Sequence, residues 1–233
     1  MRAELRIEED PAGACARLVA DAAAAGGQIA LSGGSTPWEA YERAAAIEDV
    51  DWSQATVWLG DERLVEPWDE RSNYRQLTAS LLDRVDPKPR APRVLTELGL
   101  EGAADEYDRE LREAFGGGPE GLDLAIMGLG PDTHTASLFP GKPALRESER
   151  LAVGVPEAGM EPQVPRVTMT LPVFNAAKEV VFLVTGEGKA GAVAAAFGGE
   201  PSEEHPSSLV QPESGRLVLL CDAAAASRLE DAA

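Results

Sequence analysis

Residues 28–37 read Gln-Ile-Ala-Leu-Ser-Gly-Gly-Ser-Thr-Pro. The QIAL run offers apolar side chains to both faces of an extended chain, as a strand covered on both sides requires. In the SGGSTP that follows, the glycines permit a tight turn, Thr36 can cap a helix and Pro37 suits a first helical position. Strand, turn and helix in that order make a βα unit, with a helix predicted over 37–46. The same order recurs along the chain. ATVWL (55–59) precedes a loop and a helix over 73–84, and LDLAIM (122–127) runs into GLG. VVFLV (180–184) precedes TGEGK and an Ala-rich helix to 197, and LVLLC (217–221) precedes Asp222 and a last helix. A long helix is predicted over 10–25. Apolar strands alternating with helices define an α/β protein, a parallel sheet flanked by helices on both faces.

The composition narrows the function. The 233 residues carry 21 Lys and Arg against 40 Asp and Glu, a net charge of −19. That balance excludes a phosphate-backbone partner, so no nucleic acid is expected, but a local basic pocket for a small anion remains open. With 44% hydrophobic and 26% charged residues, the chain is not of a disordered type. The opening MRAELRIEEDPAG has no apolar stretch of the signal-peptide kind, and no apolar run nears the ~20 residues of a membrane helix. A soluble, cytoplasmic protein without a membrane partner is expected. Cys15 and Cys221 form no motif and read as buried free thiols in a reducing compartment. Residues 86–92 (DPKPRAP) read as a Pro-rich connection and 157–165 (EAGMEPQVP) as a mobile surface loop. Neither is long enough for an interdomain linker, so one domain over 1–233 is expected.

In an open parallel sheet, ligands bind at the carboxyl ends of the strands. The Ser32–Pro37 loop there reads either as an anion site at a helix start or as a well-capped turn. In Gly186-Glu187-Gly188-Lys189, a lysine in a first helical turn opposes the helix dipole. An anion between the two would explain it, and a solvated lysine beside Glu187 is the alternative. The loop is not a Walker A sequence, because no Ser or Thr follows Lys189. GLGPDTHTASLFPG (128–141) begins like a dinucleotide loop but has Thr133 at the third glycine position and loses a donor at Pro131, which argues against NAD. What remains there is His134, an imidazole at a strand end, suited to proton transfer. His205, in a polar EEHP segment, reads as solvated. Gly60-Asp61-Glu62-Arg63 reads as a surface ion-pair loop or as one aiming Asp61 or Arg63 into the cleft. Asp222 reads as a plain helix cap. There is no G-x-S-x-G elbow and no zinc-type cluster, so no metal is expected.

Taken together, these motifs resemble the 6-phosphogluconolactonase family. They are LSGGSTP (31–37), GDER and SNY (60–63, 72–74), GLGPDTHTASLFPG (128–141), RVTMTLP (166–172), TGEGKA (185–190) and PSSLVQP (206–212), in family order over nearly the whole chain. The wider superfamily of sugar-phosphate isomerases and deaminases has a modified Rossmann-like fold. Glucosamine-6-phosphate deaminases carry Tyr where this chain has Arg63, and differ after the histidine loop, so Arg63 and Ser137-Leu138-Phe139 favour the lactonase. Thr133 stands where the family usually has Gly. If that position needs a positive φ, threonine there costs about 1–2 kcal/mol.

The resemblance implies hydrolysis of 6-phospho-D-glucono-1,5-lactone to 6-phosphogluconate, in the oxidative pentose phosphate pathway, with no cofactor. It implies His134 as general base, Arg63 at the substrate or the developing charge, and Asp61 orienting Arg63 or a sugar hydroxyl. Gly33, Gly34, Ser35, Thr36, Arg166 and Lys189 are implied as the phosphate anchor. An amino-sugar-phosphate deaminase or isomerase, and a non-catalytic sugar-phosphate binder, are the other readings the motifs allow.

Overall fold

The computed structural model describes residues 3–229. Its elements, in chain order, are β1 (Glu4–Ile7), α1 (Pro11–Ala24), β2 (Gln28–Leu31), α2 (Ser35–Ala45), β3 (Thr56–Leu59), β4 (Asp61–Arg63), α3 (Asn73–Leu77) and α4 (Gly99–Phe115). They continue with β5 (Leu124–Met127), β6 (Ala152–Val155), β7 (Arg166–Met169), α5 (Leu171–Asn175), β8 (Glu179–Val184), α6 (Ala190–Phe197), β9 (Arg216–Cys221) and α7 (Ala223–Ala226). Six strands pair in parallel in the order β1-β9-β8-β5-β2-β3.

The unbroken apolar strands are explained by two cores, one on each face. Ile29 and Leu31 of β2 bury with Val19 of α1 and Tyr41 of α2, whereas Ala30 between them buries with Tyr107 and Leu111 of α4. In β8 the alternation is Val181 and Leu183 to one face, Val180, Phe182 and Val184 to the other. Period-2 side-chain direction makes both faces apolar, and each needs its own layer of helices. Cys15 and Cys221 lie in these cores, buried and unbridged. No helix of the described residues is long and apolar enough to cross a membrane.

A second sheet, β4-β7-β6, is antiparallel throughout and was not read from the sequence. Its strands are three or four residues long, too short for a periodic signal. Its Val155, Val167 and Met169 bury in the same cluster as Ala125 and Phe182 of the main sheet, so the two sheets share a core. β1 and α4 were likewise unread. The helix predicted over 73–84 is α3 followed by a π-helical turn, Thr78–Leu82. Within the Pro-rich connection, Arg90 donates to Ala55 O and accepts from Val57 N, covering the open edge of β3.

Two buried tyrosines finish strands where their neighbours have diverged. Tyr41 Oη accepts from the Ser32 N–H at 3.1 Å and donates to Ser32 O at 3.0 Å. Tyr107 Oη does the same for Leu59, at 3.1 and 2.8 Å. Each phenol replaces a missing strand at the point where the chain leaves the sheet for the cleft. Burial pushes both phenols above the ordinary tyrosine range, so they remain neutral donors. Tyr107→Phe and Tyr41→Phe each strand a buried N–H and C=O, and each should lower unfolding free energy by about 1–3 kcal/mol in urea titration. A loss within error of zero would show that water replaces the phenol.

Candidate active site

The loops after β2, β5 and β8 meet the small sheet around a cleft of about 260 Å³. Gly33, Gly34, Asp61, Arg63, His134, Arg166 and Lys189 all line it. Ser35 and Thr36 do not stand on its wall. Helix α2 begins at Ser35 with Gly34 as its cap, so both lie in the first turn, and Thr36 Oγ1 is 3.0 Å from Thr185 Oγ1. That contact ties the glycine loop to the lysine loop.

The GDER segment divides by strand alternation. Asp61 and Arg63 of β4 face the cleft, and the intervening Glu62 faces away. Buried Glu62 accepts from the backbone N–H groups of Arg63, Asn73 and Tyr74 and from Ser72 Oγ, at 2.6 to 3.0 Å. It thereby anchors the start of α3. Burial raises its pKa despite these four bonds. Asp61 accepts from Ser137 Oγ at 2.6 Å and from Asn73 Nδ2 at 3.1 Å, and lies 4.0 Å from Arg166 Nη1. Its cationic neighbour is therefore Arg166. Arg63 instead donates to Arg71 O at 2.7 Å.

The β4–β7 register sets Arg63 directly opposite Arg166. Like charges opposed across a strand pair are unfavourable by about 0.2–1 kcal/mol. Burial holds the Arg166 guanidinium below its ordinary pKa; Asp61 acts in the opposite sense, and the Arg63 charge adds a smaller lowering. Arg166 Nη2 donates to Met160 O and Pro162 O at 3.2 Å each, so the 157–165 loop is folded over the cleft and bound to it. The Nε atoms of both arginines are buried without a partner. An anion between the two side chains would relieve the repulsion and satisfy those donors.

Lys189 ends a 3-10 turn at the start of α6 and donates to Leu129 O at 2.6 Å. Burial lowers its pKa, with Asp132 acting in the opposite sense. Asp222 caps α7 through Ala225 N at 2.7 Å, and its second oxygen accepts from Gly186 N at 2.8 Å. The cap therefore also fixes the lysine loop, a link with no sequence signature.

In the histidine loop, His134 Nδ1 lies 2.5 Å from Asp132 Oδ1, which also accepts the His134 backbone N–H at 3.2 Å. Partial burial raises the Asp132 pKa, but the hydrogen bond and charge of His134 outweigh it and hold the carboxyl below the ordinary range. The ring packs 4.6 Å from Phe139. Thr133 is indeed left-handed, at φ +66°, and Ala136 follows at +48°. His205 is not solvated as expected: it is half-buried, with Nδ1 3.3 Å from Thr133 Oγ1. Asp132, Ser137 and Asn73 are supporting residues to which sequence reasoning assigned no role, although Ser137 was singled out there as a family marker. Asp132 was legible from its place two residues before the histidine. Asn73 fits only because residue 33 is glycine, since a Cβ there would lie 2.2 Å from Asn73 Oδ1.

Fold and site together define an α/β protein that gathers Arg63, Arg166 and Lys189 at strand ends beside a carboxylate–histidine pair. The model of the glucosamine-6-phosphate isomerases/6-phosphogluconolactonase family matches residues 7–219, and the chain belongs to that family. The human 6-phosphogluconolactonase is 40% identical over 230 residues, covering 93% of this chain and 88% of that protein. The 6-phosphogluconolactonase of Nostoc sp. is 39% identical over 209 residues, 86% of this chain and 84% of that one. The crystal structure of the Leishmania guyanensis 6-phosphogluconolactonase superimposes with a TM-score of 0.82 at 29% identity, covering 97% of this chain and 98% of that one.

A Cβ on Gly130 would fall 2.0 Å from His134 Nδ1. Gly130→Ala should therefore displace the imidazole while leaving the fold intact, and a misplacement near 1 Å costs about a hundredfold in turnover. Steady-state kinetics beside a melting curve will check this; an unchanged kcat would mean that the ring position does not matter.

Proposed function

We propose that this chain hydrolyses 6-phospho-D-glucono-1,5-lactone to 6-phosphogluconate, with His134 as the proton-transfer group. The observation that carries the reading is the Asp132–His134 pair on a cleft that also presents Arg63, Arg166 and Lys189. The lactonase names of relatives near 40% identity supply the activity. Arg63 and Ser137-Leu138-Phe139 favour it over deamination, since the lactonase pattern has these residues.

With Nδ1 engaged by Asp132, the proton sits on Nδ1 and Nε2 is left as the basic nitrogen. Nε2 removes a proton from water as its oxygen attacks the C1 carbonyl. The carbonyl electrons move to oxygen, where a guanidinium stabilises the charge. Collapse breaks the bond from C1 to the ring oxygen, and the imidazolium returns its proton to that oxygen. Arg166 and Lys189, with the N–H groups of the Gly33–Gly34 loop, hold the phosphate and so position the distant ring. The substrate is a small phosphosugar, and the reaction belongs to the cytoplasm.

Side-by-side assays with the lactone and with glucosamine-6-phosphate test the reading: turnover is expected for the lactone, and release of ammonia from the amino sugar would replace it with deamination. His134→Gln should lower kcat about 10²–10⁴-fold after subtraction of spontaneous hydrolysis, with product binding retained. Wild-type turnover in that variant would remove the histidine from the mechanism.

Lys189→Met gives a separate check on the phosphate anchor. Charge-assisted hydrogen bonds contribute about 1.5–3 kcal/mol, so 6-phosphogluconate should bind ten- to a hundredfold more weakly. Because burial lowers the lysine pKa, wild-type affinity should fall on the alkaline side before an ordinary lysine would deprotonate. That alkaline loss should be absent in the variant. Calorimetric titration across pH measures both, and an identical alkaline loss in the two proteins would assign it to another group.

A further inference from the structure

We infer that Ser207 is a positioning residue for His134, acting through the Thr133 peptide. Thr133 is 3% exposed, has a left-handed backbone, and immediately precedes the histidine. Ser207, fully buried, gives both its donors to one atom: its N–H reaches Thr133 O at 3.0 Å and its Oγ reaches the same oxygen at 2.6 Å. On the other side of the residue, Thr133 Oγ1 donates to Asp132 O at 2.5 Å and lies 3.3 Å from His205 Nδ1. The 204–207 segment therefore grips Thr133 chiefly by its carbonyl, through Ser207, with His205 beside the side chain.

The grip reaches the imidazole through one rigid unit. Thr133 O and the His134 N–H belong to the same planar amide and point in opposite directions. Fixing the oxygen aims the N–H, which donates to Asp132 Oδ1 at 3.2 Å, and that same oxygen holds His134 Nδ1 at 2.5 Å. A threonine disfavours the left-handed region, so a loosened grip lets the peptide rotate away; a glycine has no such preference. The contribution of Ser207 to turnover must then depend on which residue occupies position 133.

The inference rests on His134 as the proton-transfer group, and the experiment separates the two. Ser207→Ala is measured with and without Thr133→Gly, beside His134→Gln, at a temperature where circular dichroism shows every variant folded. Ser207→Ala alone should lower kcat about five- to tenfold, the scale of one buried hydrogen bond, with KM changed less than about twofold because the anion loops are untouched. In the Thr133→Gly background the same substitution should lower kcat less than about twofold. An equal fractional loss in both backgrounds, no loss in either, or a loss confined to KM overturns the inference. Full turnover in His134→Gln instead overturns the histidine mechanism. If the alanine variant does not fold, Ser207→Cys, a weaker donor of similar size, enters the same comparison with the same criteria.

Discussion

The cleft is organised around one buried carboxylate. Asp61 is 5% exposed, and a carboxylate so placed must find hydrogen bonds and a cation nearby or lose its charge. Its partners come from distant parts of the chain: Ser137 from the histidine loop, Asn73 from the start of α3, and Arg166 from β7. Satisfying Asp61 therefore draws the histidine loop and the small sheet onto one point. Asn73 carries the arrangement further by packing, because its amide oxygen lies against Gly33 of the glycine loop without a hydrogen bond. The arrangement is cooperative, since displacing any one segment leaves a buried charge under-satisfied.

The cations of the cleft are held differently from those outside it. On the surface, Arg43, Arg93, Arg109 and Lys178 meet carboxylates at short range and are neutralised by them. In the cleft, Arg63, Arg166 and Lys189 donate to main-chain carbonyls of Arg71, Met160, Pro162 and Leu129. A carbonyl is a dipole: it fixes the direction of a cation without cancelling its charge. Among the described residues only Asp61 forms an ion pair with Arg166, at 4.0 Å, and it is already committed to two other donors. The three cations are thus oriented in advance yet left electrostatically available, the preorganisation that binding and charge stabilisation both need.

Much of this was legible in the sequence, and the parts that were not share a physical reason. The main-sheet strands from β2 to β9 announced themselves because burial on both faces demands continuous apolar runs, as in VVFLV. That the glycine loop, the lysine loop and His134 gather on one cleft was legible because strand ends in such sheets are where ligands bind. The small sheet was not, because DER and RVTM are three and four residues long, too short for their alternation to stand out as a period. The second role of Asp222 and the burial of His205 depend on contacts with residues far away in sequence, and no local pattern encodes them. Thr133 was readable as a departure from the family pattern, but its support by Ser207 lies in a segment more than seventy residues away.

The overall charge of −19 places a further demand on the site. A phosphorylated ligand approaching this chain is repelled at long range, but salt confines that field to about 8 Å at physiological ionic strength. Within that distance the oriented cations dominate, so attraction begins only at the cleft itself. The proposed reaction then changes the balance. A lactone is neutral at C1, whereas its product carries a new carboxylate there, close to the atoms that His134 and Asp132 serve. Asp132, Asp61 and the cleft-lining Glu161 are all of the same sign as that group. In the proposed mechanism the cations hold the phosphate equally before and after hydrolysis, so uniform binding of that end cannot expel the product. In the proposed reaction the new charge at the other end meets both a guanidinium and these carboxylates, and the opposition between them, not the phosphate grip, decides how readily product leaves.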